Sequence, residues 1–318
     1  MHTRGYDDEK AHMSERTPGA DRLRRSAHFV PGANEKMLHK SIATAADSLI
    51  LDLEDAVVPD RKDDARQTVS EWLRDVDFQG KERTVRMNPL DTPWGLKDLE
   101  ITMQHAPDAY VVPKVSTLEE LNTISAELDK WEKVYGHPAG QVGLILVSTE
   151  TPLGAINLPT FTACSRVICL SWGAEDLSAS LGAPRNRRPD GSYLDVYTYC
   201  RTMTLLSAVA GNVQPMDTVY VDFNNSAGLQ AECQEAAWSG YTGKITIHPN
   251  QIDIVNAAFS PAADEIAEAK RLLQAFAEAE KEGLMAISFE GKMVDVPHLT
   301  RAKKTLARAA QIERQLNS

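Results

Sequence analysis

Short apolar runs alternate with longer amphipathic stretches along most of this chain. Eight runs rich in Val, Ile and Leu, at residues 27–30, 48–53, 84–87, 109–112, 142–147, 166–170, 218–221 and 244–247, have the pattern of strands covered on both faces. Between them lie segments such as 34–46, 60–73, 118–135 and 227–239, whose apolar residues recur at the three-and-four spacing of a helix. Eight such units in about 230 residues predict a (β/α)₈ TIM barrel with parallel strands. A doubly wound open sheet is the competing architecture, but no G-x-G-x-x-G follows the first strand.

Polar groups follow nearly every predicted strand: Pro31-Gly32, Glu54-Asp55, Arg86 with Asn88, Pro113-Lys114, Glu150, Gly173 to Asp176, Asp222-Phe223-Asn224 and His248-Pro249. In a barrel these positions form the C-terminal rim, where active sites are built. Glu150 and Asp176 stand just beyond two successive strands. They suit a hard divalent cation such as Mg²⁺, which takes one or two carboxylates and keeps several waters. The same residue types also cap helices or form salt bridges at helix starts, and spacing alone leaves both readings open.

Two segments break the rhythm. Residues 182–193, GAPRNRRPDGSY, form an Arg-, Pro- and Gly-rich insertion before a helical stretch at 194–209. After the eighth unit come a helix at 262–282, an alternating stretch at 286–289, a turn at Gly291, and a helix from about Pro297 with Asp295 near its N-cap. The expected organisation is a disordered extension at 1–21, a barrel at 22–258, and a C-terminal helical extension and lid at 259–318. This last segment would lie on the outside of the barrel or over a neighbouring subunit.

Composition narrows the partners. A net charge of −11 and a pI near 5.3, with no Lys/Arg stripe interleaved with aromatics, argue against nucleic acid. No run approaches the ~18 apolar residues of a membrane span, and residues 1–21 lack the apolar core of a secretory signal. Cys164, Cys169, Cys200 and Cys233 form no C-x-x-C pair, which suits reduced, packed thiols in a cytoplasmic protein.

The motifs R-S-x-x-F-V-P-G at 25–32, D-L-E-D-A-V at 52–57 with K-x-x-A-R at 62–66, V-R-M-N at 85–88, Glu150, G-A-E-D at 173–176, D-F-N at 222–224, G-K-x-x-I-H-P-x-Q at 243–251 and M-V-D at 293–295 occur together in one order. In this the chain resembles the citrate lyase β-subunit/malyl-CoA lyase (HpcH/HpaI aldolase–citrate lyase) family of Mg²⁺-dependent (β/α)₈ lyases acting on 3-hydroxyacyl-CoA thioesters. The likeness runs from Arg24 to the C-terminus. It implies that Glu150 and Asp176 ligate Mg²⁺, with Mn²⁺ as a substitute. It further implies that Arg86 grips the keto acid or thioester carbonyl, and that Asp295 reaches the site of an adjacent subunit in a homotrimer or hexamer. His28 departs from the apolar residue usual in the family, and the run Arg185, Arg187, Arg188 is a second departure. Both fall where specificity could be set.

The implied reaction cleaves a citramalyl-CoA or malyl-CoA type thioester to acetyl-CoA plus pyruvate or glyoxylate, through the enolate of acetyl-CoA. Arginine presents a fixed fork of donors to a carboxylate or oxyanion. A carboxylate shielded from water, as expected for Asp295, has its pKa raised toward the working range of a base. Helix capping is the other reading of Asp295. Arg86 has an alternative as a structural pair with Glu54 or Asp55. Glu54 is placed with Arg86 and Arg25 in the substrate-binding set, and Glu54 and Asp55 also suit contacts to the waters around a metal. Arg25 is read as a contact for the CoA phosphates or as a salt bridge, the arginine run of 185–188 as its replacement or as a solvated loop, and His248 as fixing the eighth loop or touching ligand. Three rival activities remain open: a malate or citramalate synthase or malyl-CoA thioesterase, a citrate lyase β-subunit acting on an acyl-carrier-protein thioester, and an aldolase for free hydroxy-keto acids.

Overall fold

The computed structural model describes residues 19, 21–281 and 283–316. The predicted extension at 1–21 therefore falls almost wholly outside the described residues. The chain divides into two compact units, one ending at Asn256 and the other beginning at Ala257.

The first unit is a closed barrel of eight parallel strands, β1 Ser26–Pro31, β2 Ser48–Asp52, β3 Glu82–Arg86, β4 Ala109–Val112, β5 Gly143–Val147, β6 Val167–Ser171, β7 Gln214–Asp217 and β8 Gly243–Thr246, in sequential order with β8 closing on β1. Among the described residues nine α-helices accompany them: α1 Glu35–Ile42, α2 Lys62–Asp75, α3 Gly95–Thr102, α4 Leu118–Tyr135, α5 Pro152–Asn157, α6 Glu175–Leu181, α7 Asp195–Ala210, α8 Ser226–Ser239 and α9 Ile252–Ala258. Strand residues alternate between two buried environments. Ala27, Ile50, Val111, Ile145, Met216 and Ile245 pack together in the lumen. Leu49, Leu51, Val85, Leu144 and Leu146 pack outward with helix residues such as Val69, Leu121 and Leu128. Burial on both faces is why these segments read as unbroken apolar runs.

Seven strands lie within about two residues of their predicted places, and β7 does not. The apolar run at 218–221 lies beyond the strand, and the pairing falls on Gln214–Asp217, matched to β6 through Cys169 and Leu170 and to β8 through Gly243 and Lys244. A strand of Gln, Pro, Met and Asp has little β signature, and Pro215 gives no N–H to a ladder. Its carbonyl instead accepts from the Thr242 N–H at 3.0 Å. Barrel closure, with neighbours already in register, selects this segment over the apolar one next to it.

His28 is a second correction. It shares the outward face of β1 with Val30, is buried between barrel and helices, and bonds through Nδ1 to Thr246 Oγ1 at 3.0 Å. Burial pushes its imidazole pKa down to about 4, so a neutral ring packs there away from the lumen.

The second unit contains α10 Ala263–Lys281, an antiparallel hairpin of β9 Ala286–Phe289 and β10 Lys292–Asp295, and α11 Val296–Leu316. Glu290 and Gly291 both take positive φ, 48° and 79°, the two-residue turn whose twist matches a hairpin. Leu272, Phe276, Val294 and Ala302 form its small core. Among the described residues no helix is long and apolar enough to cross a membrane.

At the N-terminal end of the strands Arg24 is fully enclosed, with Nε 2.7 Å and Nη2 2.5 Å from the Glu82 carboxylate and Nη1 2.8 Å from Gln214 Oε1. Removing one member leaves a buried charge without its counter-ion, so Arg24→Met is expected to cost about 3–5 kcal/mol of stability, and Arg24→Met with Glu82→Leu much less. Denaturant unfolding of both variants checks this; equal losses would contradict a mutually compensated buried pair.

Candidate functional site

Four of the predicted site residues meet at the C-terminal ends of β2 to β6. The group begins with Asp52, the last residue of β2, on the same face of the strand as lumen-facing Ile50. Its carboxylate accepts the backbone N–H of Glu54 at 2.9 Å and of Ala56 at 3.2 Å, which curls the loop after the strand. It also receives Nε and Nη2 of Arg86, each at 2.7 Å. Glu54 Oε2 lies 2.8 Å from Arg86 Nη1, an ion pair not aligned as a hydrogen bond. The Arg86 guanidinium also stacks 4.5 Å above the Phe29 ring. Burial alone would weaken its charge, but Asp52 and then Glu54 outweigh that and hold it protonated. One full edge of the Arg86 fork is thus committed within the protein, and Nη1 carries the remaining freedom.

The K-x-x-A-R motif supports this loop from behind. Lys62 Nζ donates to the carbonyl oxygens of Leu53 at 2.8 Å and Glu54 at 2.7 Å, and Asn88 Nδ2 donates to Leu53 O at 2.9 Å. Asp98 accepts from both Asn88 Nδ2 at 2.7 Å and Arg66 Nε at 2.8 Å. Two separated motifs, K-x-x-A-R and V-R-M-N, together with Asp98 therefore hold one turn, the turn that carries Glu54.

Glu150 follows β5 and is buried, with Oε2 accepting the Lys114 backbone N–H at 2.7 Å. Gly173, just past β6, is shaped around it. A Cβ built on Gly173 would lie 2.6 Å from Glu150 Cγ, so any side chain there would displace the carboxylate. Burial first, then the charges of Asp176 and Glu54, push the Glu150 pKa up to about 8. Asp176 stands in the first turn of α6, about one-third exposed.

Lys114, in the sequence simply a polar residue after a strand, lies at the centre of the group. It follows β4 in a left-handed conformation, φ 52°. Its Nζ pairs closely with Glu54 Oε1 and lies 3.3 Å from Asp176 Oδ1 and 3.5 Å from Asp55 Oδ2. Burial opposes its charge, but Glu54, Asp176 and Asp55 together hold the amine protonated well above its usual range. Three carboxylates around one ammonium, with Glu150 on the backbone N–H of the same residue and Asp52 beyond Arg86, make a place where positive charge is strongly favoured. Among the described residues no set of three or more His, Cys, Asp or Glu has metal-binding geometry, so a cation held here through Glu150 and Asp176 would complete its shell with water and substrate oxygens.

Other predicted residues lie elsewhere. Arg25 precedes β1 at the opposite, N-terminal end of the barrel. Asp47 receives its backbone N–H at 2.8 Å and its side-chain Nε and Nη2 at 2.9 Å, so the structure does not bring Arg25 to the carboxylate group. Asp295 ends β10 in the second unit, with Oδ1 2.6 Å from Nδ1 of His298. Arg187 donates to Glu232 Oε2 at 2.7 Å and stacks 3.7 Å above Tyr193, while Arg188 binds Tyr193 O and, at 2.6 Å, Asp195 Oδ1. Those two arginines pin their own loop, and only Arg185 of the run is exposed. His248 caps the turn at Pro249–Gln251 and stacks on Phe223, rings 5.0 Å apart, which fixes the eighth loop.

Comparison with known proteins agrees with this architecture. Residues 25–249 match the family model described as HpcH/HpaI aldolase/citrate lyase. The chain is 38% identical over 289 residues to the citrate lyase subunit beta of Escherichia coli K12, covering 91% of this chain and 94% of that one. It is 33% identical over 304 residues to the mitochondrial citramalyl-CoA lyase of Homo sapiens, covering 91% and 86%. Among solved structures it is similar to CitE of Mycobacterium tuberculosis in complex with magnesium, acetoacetate and coenzyme A, with a TM-score of 0.73, 32% identity, and 92% and 99% of the two chains covered. With the family model spanning the barrel and relatives matching over nine-tenths of the sequence, the chain belongs to the HpcH/HpaI aldolase/citrate lyase family.

Proposed function

We propose that this protein is a Mg²⁺-dependent carbon–carbon lyase that cleaves a 3-hydroxyacyl-CoA of the citramalyl-CoA or malyl-CoA type to acetyl-CoA plus pyruvate or glyoxylate. The observation that carries this reading is the meeting of Glu150 and Asp176 beside Arg86, around a point where a cation is already favoured. The relatives named for citramalyl-CoA lyase and for a magnesium, acetoacetate and coenzyme A complex support the metal and the substrate class.

Glu150 and Asp176 would hold the ion, and the cradle at Gly173 keeps the Glu150 carboxylate in place. Bound there, Mg²⁺ supplies Lewis acidity and a template for the carboxylate and keto oxygens of the acid. Arg86, immobilised by Asp52, turns its remaining donors to the negative charge that develops on oxygen. In cleavage the hydroxyl proton passes to a carboxylate, the electron pair of the breaking carbon–carbon bond becomes the acetyl-CoA enolate as the keto carbonyl forms, and the carboxyl so protonated returns the proton to the enolate carbon. We assign that last transfer to Asp295 on the C-terminal segment, acting over an adjacent subunit of a homotrimer or hexamer in the cytoplasm. Within its own unit the Asp295 carboxylate is already oriented by His298.

The 38% identity to a citrate lyase beta subunit favours one second reading, action on an acyl-carrier-protein thioester. The isolated protein incubated with citramalyl-CoA or malyl-CoA and Mg²⁺ separates the two. Release of acetyl-CoA with pyruvate or glyoxylate supports the lyase, and no turnover until a carrier is added supports the subunit.

Glu150→Gln is expected to lower kcat/KM by about 10²-fold or more, because the Lewis-acid contribution lost with the metal is several kcal/mol. Mg²⁺ binding should weaken in parallel by calorimetry, and wild-type turnover in this variant would remove Glu150 from the metal site.

The raised Glu150 pKa sets a pH dependence. The metal-free folded protein keeps this carboxyl protonated from its ordinary 4.5 up to about 8. Its contribution to stability is therefore fully present below 4.5 and lost as pH rises through 8. Mg²⁺ requires the ionised form, so its affinity should rise up to ~10-fold per unit from pH 6 to 8 and level off above, with proton release on binding below 8. Calorimetry in buffers of different ionisation enthalpy measures both, and a flat profile would place the high pKa elsewhere.

A further inference from the structure

We propose that Lys114 is the counter-cation of the candidate metal site, occupying it in the metal-free protein and competing with the divalent ion for Asp176. The inference rests on the metal reading above and adds a residue that controls it.

The geometry is that of a resident cation. The ammonium is paired with Glu54 and lies 3.3 Å from Asp176 and 3.5 Å from Asp55, while the backbone N–H of the same residue holds Glu150 at 2.7 Å. One residue thereby touches four of the five carboxylates gathered at the ends of β2, β5 and β6, Asp52 being held by Arg86. Its left-handed backbone, φ 52°, is an uncommon conformation for a lysine, and tertiary contacts must enforce it. In that conformation the N–H and the side chain of one residue meet carboxylates from three different loops. Arg86 does not take this place, because Asp52 receives its Nε and Nη2 and its Nη1 lies against Glu54.

An ion coordinated by Glu150 and Asp176 would put two positive charges beside the ammonium. Like charges in a partly buried site repel strongly. Either Lys114 leaves Asp176 and rests on Glu54 and Asp55 alone, or the ion does not bind. The lysine thus keeps the acidic cluster compensated while the site is empty of metal and sets the affinity with which metal enters.

Calorimetric titration of Mg²⁺ into metal-free wild type, Lys114→Met and Lys114→Arg tests this without any turnover. Lys114→Met keeps the length and the backbone N–H but removes the charge, and should bind Mg²⁺ about tenfold or more tightly than wild type, while its metal-free form melts at a lower temperature. Lys114→Arg, which keeps the charge, should bind as wild type does. Equal or weaker binding by Lys114→Met, or tightened binding by Lys114→Arg, would overturn the proposal while leaving the metal site intact. Absence of saturable Mg²⁺ binding in wild type would overturn both readings. A measurement on wild type alone covers failure of the variants to fold: acetylation of the Lys114 amine, read by mass spectrometry, should speed up when Mg²⁺ is added, and an unchanged rate would also overturn the proposal.

Discussion

Crowding of carboxylates at one end of a closed barrel is the constraint on which the rest of this structure depends. Asp52, Glu54, Glu150 and Asp176 come from three strand ends, and three of them, Asp52, Glu54 and Glu150, are almost fully buried. Left alone, they would repel one another and lose hydration, and each would take up a proton or force the strand ends apart. Arg86 and Lys114 oppose this by standing between them, Arg86 against Asp52 and Glu54, Lys114 against Glu54, Asp55 and Asp176. Glu150 is the least compensated, with a backbone N–H as its hydrogen-bond donor, and its high pKa follows from that.

Such an arrangement needs rigid support, because an ångström of slack would let the charges rearrange. The turn carrying Glu54 is held by Lys62, Asn88 and, through Asp98, Arg66. On the other side Trp172, next to Gly173, is buried and donates from Nε1 to Asp217 at 2.7 Å. Asp217 in turn receives Lys244 Nζ at 2.9 Å, and Lys244 also binds Glu232, the partner of Arg187. A chain of ion pairs, buried at Lys244 and Asp217 and ending in the Trp172 hydrogen bond, therefore runs from the inserted loop to the segment that carries Asp176. Buried pairs contribute little net stability against apolar packing. What this chain does supply is a defined position for Trp172 and, beyond it, for the G-A-E-D turn.

The barrel and much of the site could be read directly. Apolar runs bounded by polar loops locate seven strands, and residues on the C-terminal rim include Glu54, Arg86, Glu150 and Asp176, all of which the fold brings together. The expected errors fall where local signal and global geometry part. The apolar run at 218–221 outweighs Gln214–Asp217 by propensity, but ring closure chooses the latter. Arg25 sits at a strand start, and in a parallel barrel that is the end away from the carboxylates. The run Arg185, Arg187, Arg188 looks like an anion site until Glu232, Tyr193 and Asp195 are seen to engage two of its members.

Periodicity and motif order alone determine that eight strand–helix units exist and which acids follow them, because burial on two faces and the polarity of loops act locally along the chain. Which partner each acid meets is decided only in three dimensions. Asp52 with Arg86 and Lys114 with Asp176 are separated by tens of residues and joined by strand register and by the left-handed turn at Lys114. Charge balance depends on distance in space, and that distance is set by the closed barrel.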